Sequence, residues 1–79
     1  MKLQLIDGDF NQAETIDILT QLYQVKIKFH EEKVKSSHNE EDIKMRERKI
    51  KFLQNNLAEA REYIKNENRN FHINNQINF

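Results

Sequence analysis

A chain of 79 residues, 37% apolar and 33% charged, holds one domain and leaves no room for a second. Thirteen basic residues balance thirteen acidic ones, so no net field draws the chain toward nucleic acid or an anionic membrane. There is no Cys, which excludes disulfides and thiolate metal sites and leaves self-association as the common way for so small a core to gain stability.

The chain opens with Met1, Leu3 and Leu5 alternating with Lys2 and Gln4, the period of a short strand. Asp7-Gly8-Asp9 then reads as a turn. This apolar start is too short for a secretory signal, and no run approaches the ~20 apolar residues of a membrane span. The expected location is therefore the cytoplasm, with no membrane partner.

Asn11 is placed to cap a helix from about Gln12 to Lys35, with Glu14 at the reciprocal capping-box position. At 100° per residue this helix carries two apolar bands. Ile18, Leu22, Val25 and Phe29 form one, and Ile16, Leu19, Tyr23, Ile27, His30 and Val34 form the other. Two bands imply two packing partners. Ser36-Ser37-His38-Asn39 interrupts the pattern, and Ser37 with Glu40 or Asn39 with Asp42 can cap the next helix.

The second helix is expected over Glu40–Asn66. Glu40, Glu41 and Asp42 suit its N-terminal dipole, and Glu40–Lys44 and Glu47–Lys51 stand at i,i+4 in the favourable order. Ile43, Ile50, Leu53, Leu57, Ala60 and Ile64 form a seam that from Ile50 steps by three and four, the spacing of lengthwise helix packing. Arg46 holds its one interior position that is not apolar. Met45, Phe52 and Tyr63 make a thinner second stripe. After Asn66-Glu67-Asn68-Arg69-Asn70, the tail alternates again at Phe71, Ile73, Ile77 and Phe79, with Asn75 the one break.

The order strand, helix, helix, strand with a short middle connection predicts a mainly α fold. Residues 1–79 form a single β-α-α-β domain: an antiparallel, coiled-coil-like two-helix hairpin whose terminal β-strands pair as a small ribbon. The seam of the second helix is expected to meet Ile18, Leu22, Val25 and Phe29. That leaves Ile16, Leu19, Tyr23, Ile27, Met45, Phe52 and Tyr63 as interface residues, most simply in a homodimer or a higher even oligomer.

Motifs for chemistry are weak. Asp7, Asp9 and Asn11 match the first ligand positions of an EF-hand loop, but Gln12 stands where Gly is needed and Ile18 where the bidentate Glu is needed. His30, His38 and His72 are scattered, and no metal or cofactor is expected. Ser36, Ser37 and His38 fit capping better than nucleophilic catalysis. The chain therefore reads as no enzyme, with His30 and Tyr23 the residues to inspect were it one. Lys44, Arg48 and Lys51 share a helix face that could track phosphates, a reading that zero net charge disfavours. The function expected is a non-catalytic, self-associating helical-hairpin module for protein–protein interaction or assembly. A small nucleic-acid-associated regulator using that basic face is the alternative.

Overall fold

The computed structural model describes residues 1–78 as β1 (Lys2–Phe10), α1 (Gln12–Ser36), α2 (Glu40–Asn66) and β2 (Phe71–Asn78). The two helices pack antiparallel as a hairpin, and the two strands pair antiparallel as a ribbon at its open end. Phe79 lies outside the described residues.

Local chemistry sets the helix ends. Asn11 Oδ1 accepts the Glu14 N–H at 2.8 Å while Glu14 Oε1 accepts the Asn11 N–H at 3.0 Å, a complete capping box. Asn39 caps α2, its side chain accepting from the N–H groups of Glu41 at 2.9 Å and Asp42 at 3.3 Å. Ser37 does not cap α2; its hydroxyl takes the Asn39 N–H at 3.3 Å and shapes the connection. Gln12, in the first turn of α1, reaches across and donates to the Ile64, Lys65 and Glu67 carbonyls. The Ile64 carbonyl also accepts the Glu67 N–H at 3.2 Å and the Glu67 carbonyl the Arg69 N–H at 3.0 Å, so the Gln12 amide adds a second donor at the end of α2 and ties the open end of the hairpin.

The ribbon departs from the expected short first strand. Asp7-Gly8-Asp9 is not a turn: β1 runs on to Phe10, and Gly8 pairs with Ile73. The reason is a bulge. Gln4 pairs with Gln76 and Ile6 with Asn75, leaving Leu5 extra. That one residue shifts the alternation, so Leu3 shares a face with Ile6, Gly8 and Phe10, opposite Ile77, Asn75, Ile73 and Phe71. The Gln4 side chain holds the irregularity, donating to the Ile6 carbonyl at 3.1 Å and to Asn74 Oδ1 at 2.6 Å. The Phe10 ring lies over Gly8, 3.5 Å from where a Cβ would stand, and covers backbone that a bare glycine would leave open.

The hairpin has little interior. Among the described residues Leu53 and Ile64 are the buried apolar side chains, and Thr15 the buried polar one. The molecule is a plate of 45 × 35 × 13 Å with a radius of gyration of 15.2 Å. A compact chain of this length has a radius of ~12 Å.

Candidate interaction surface

Packing between the helices uses the band of α1 that was expected to face outward. Tyr23 Oη accepts from Asn56 Nδ2 at 3.0 Å, and His30 Nδ1 lies 3.1 Å from Arg46 Nη1. Ile16, Leu19, Tyr23, Ile27, His30 and Val34 are all half-buried; of the other band Ile18 and Leu22 are half-buried as well, while Val25 is 69% exposed and Phe29 53%. The expectation that Ile18, Leu22, Val25 and Phe29 meet the α2 seam is therefore corrected. The two bands have similar apolar content, and the polar groups decide between them. Tyr23 and His30 find partners across the seam, which Val25 and Phe29 have no polar group to do.

Arg46 shows how the seam tolerates a charge. It donates to His30 Nδ1, pairs with Asp42 Oδ2 at 3.4 Å, and lies 5.9 Å from the centre of the Phe29 ring. Because a guanidinium only donates, His30 accepts at Nδ1 and is neutral in this arrangement. Burial lowers the His30 pKa, and the positive charges of Arg46, Lys49 and Lys26 lower it further. His30 lines a shallow depression with Lys26 and Lys49, and Tyr23 lines the cleft at the ribbon end with Asn56, Glu59 and Arg69. Asp42–Arg46 is the one Lys/Arg–carboxylate ion pair among the described residues; the expected Glu40–Lys44 and Glu47–Lys51 pairs are not formed. Exposed pairs of long side chains gain little in water.

Met45 is 42% exposed, Phe52 67% and Tyr63 54%. They lie on the flank of α2 that adjoins the open band of α1, since Phe52 and Lys49 line one shallow depression with Lys26 and His30. At the ribbon end this face deepens into a cleft of about 650 Å³ with Leu19, Tyr23, Ala60 and Tyr63 on one side and Phe71 and Ile73 on the other. Phe71 meets Tyr63 edge-on at 6.4 Å, and the Arg69 guanidinium lies over the Phe71 ring at 4.0 Å. So Tyr63 is partly taken up by the ribbon, while Met45 and Phe52 are not.

Lys44, Arg48 and Lys51 stand together on the back of α2, all exposed, with Glu47 among them and no ion pair to any described residue. On the polar face of the ribbon, His72 Nδ1 bonds Asp9 Oδ1 at 2.9 Å and its Nε2 lies 3.1 Å from Asp7 Oδ1. The hydrogen bond to Asp9 raises the His72 pKa, as do the charges of Asp9 and Asp7. The sequence reading missed this trio because it placed Asp7 and Asp9 in a turn. The two carboxylates address opposite ring nitrogens and do not converge on one point. Among the described residues no group of three His, Asp or Glu side chains is arranged to hold a metal ion, and the EF-hand resemblance ends with Asp7 and Asp9 in a strand. No described helix is long and apolar enough to cross a membrane.

Comparison with known protein families, curated proteins and solved structures yields no match. The fold defines the class: a β-α-α-β helical hairpin with one uncovered apolar face.

Proposed function

We propose that the chain is a non-catalytic assembly module that works by associating with itself through the open face of its hairpin. One observation carries this reading. The solvent-accessible surface is 6273 Å², whereas a folded monomer of 9.6 kDa exposes ~5,100 Å². The excess of roughly 1,200 Å² per chain resembles one side of a homodimer interface, since two such surfaces bury about 2,400 Å² in all. Large apolar side chains are exposed as well: Val25, Phe29, Met45 and Phe52 on the helices, Leu3 and Ile77 on the ribbon. A soluble chain with zero net charge has little to keep such patches apart. Ile16, Leu19, Tyr23 and Ile27 are half-buried, Leu19 and Tyr23 lining the cleft, so on this reading exposed Val25 and Phe29, with half-buried Ile18 and Leu22 beside them, carry the α1 side of the contact between chains.

Multi-angle light scattering at micromolar concentration tests the reading. The expected mass is an even multiple of 9.6 kDa. A mass of one chain up to about 100 μM, weaker than any stable interface of this size, would refute it.

A further inference from the structure

We infer that the second copy docks antiparallel, α2 against α2 and α1 against α1, in a register written into the open face. This deepens the self-association reading and rests on it. Along the open flank of α2, Met45, Lys49, Phe52, Asn56, Glu59 and Tyr63 follow at steps of four and three, a second heptad seam beside the one already buried. The row is complementary to its own reverse. Two copies run antiparallel about Gln54 set Met45 against Tyr63 of the other chain, Lys49 against Glu59, and Phe52 against Asn56. Each opposition occurs twice, as a two-fold axis requires.

The open band of α1 fits an axis at nearly the same level. Ile18, Leu22, Val25 and Phe29 also step by four and three, and their midpoint falls between Tyr23 and Gln24. Across the hairpin, Asn56 bonds Tyr23 and Arg46 bonds His30, two offsets that bracket Gln54 and place it within about two residues of level with that midpoint. A two-fold axis running from helix to helix at this level reverses both rods at once. It stacks Leu22 on Val25 and Ile18 on Phe29 of the second copy. Phe52 and Val25, among the most exposed apolar side chains, then sit nearest the centre. Two rows on separate helices with centres within about two residues of one level can share a single two-fold axis.

Charge follows the same register. Lys49 and Lys26 stand beside Phe52, and Glu59 lines the cleft at the ribbon end. Reversal brings the basic stretch of one chain to the acidic position of the other. The cleft is incomplete in one chain: Met45 of the second copy arrives at Tyr63, against the wall that Phe71 forms.

Charge reversal tests the register. Lys49→Glu and Glu59→Lys each place like charges at two symmetric points and are expected to raise the dimer dissociation constant about tenfold. The double variant restores it to within about twofold, since each pair is merely inverted. Mixing the two single variants yields a heterodimer in which both pairs are attractive, read by sedimentation and by native mass spectrometry. Both residues are exposed, and circular dichroism at concentrations well above each dissociation constant checks that each variant folds when associated. A wild-type chain that stays monomeric overturns self-association itself. A wild-type dimer whose single variants are unaffected, whose double variant stays weak, or whose singles fail to pair overturns this register alone.

Discussion

Replacing Phe52 by Ala separates an isolated hairpin from an assembled one. Phe52 is 67% exposed in the single chain, and Ala is the better helix former. In a monomer the substitution costs less than about 0.5 kcal/mol, the usual range for an open surface position. In the proposed dimer the ring lies near the two-fold axis. A Phe side chain presents about 200 Å², so roughly 130 Å² is left to bury on association. At about 25 cal/mol per Å² that is ~3 kcal/mol per copy, of which Ala forfeits about 2. Two copies lose ~4 kcal/mol, close to a thousandfold in the dissociation constant. Sedimentation equilibrium over a wide concentration range measures this directly. Thermal melts at high and low concentration add a second reading, because the midpoint of a dimer rises with concentration. A change of less than tenfold in dissociation, or a wild-type midpoint indifferent to concentration, would refute the reasoning.

Leu53, next in the chain, behaves in the opposite way. It is 7% exposed and one of two buried apolar side chains among those described, so Leu53→Ala costs about 2–5 kcal/mol and removes helical circular dichroism at every concentration. The two perturbed histidines give pH dependences of opposite sign around their ordinary value of 6.5. His30 has a lowered pKa in the fold, so its contribution falls as pH drops from 6.5 toward that lower value, where the unfolded chain binds the proton first. His72 has a raised pKa, so its contribution is complete below 6.5 and is lost as pH rises through the raised value. His72→Gln should lower the melting temperature at about pH 5.5 and leave it nearly unchanged at about pH 9; equal losses at both would contradict the ion-pair account. Reversing Lys44, Arg48 and Lys51 to Glu should leave the oligomer mass unchanged, because these side chains stand on the back of α2. A loss of mass would place the interface on the wrong side of the helix.

The parts of the fold legible in the sequence are those governed by local rules. Asn11 with Glu14, Asn39 ahead of three acids, and the three-four spacing from Ile50 to Ile64 each act within a few residues, and α2 runs over the expected Glu40–Asn66. The ribbon was half legible. Its second strand alternates cleanly, but the first hides a bulge, and Leu5-Ile6 is the one doublet that marks the change of phase. With the phase lost, Gly8 reads as a turn although it sits beneath Phe10 opposite Ile73. The choice between the bands of α1 was not legible from periodicity, because hydropathy counts a Tyr or His as a weaker version of Ile. What settles the matter is hydrogen-bonding capacity: the band carrying Tyr23 and His30 turns toward Asn56 and Arg46.

The polar content of that inner seam bears on why the outer face stays open. Tyr23–Asn56 and His30–Arg46 each take a position that a wholly apolar hairpin would give to Leu or Ile. Such pairs add little net stability, but slipping the helices by one turn would strand all four groups, so they fix register. Gln12 does the same at the open end by bonding the last carbonyls of α2. A hairpin held in register by polar pairs, with Leu53 and Ile64 as its buried apolar residues among those described, is specific before it is stable. The apolar area that would stabilise it lies on the outer face, where only another surface can cover it. On the proposed reading, folding and association are therefore one equilibrium. Dilution should unfold the chain as well as separate the copies, and helical signal should fall together with mass.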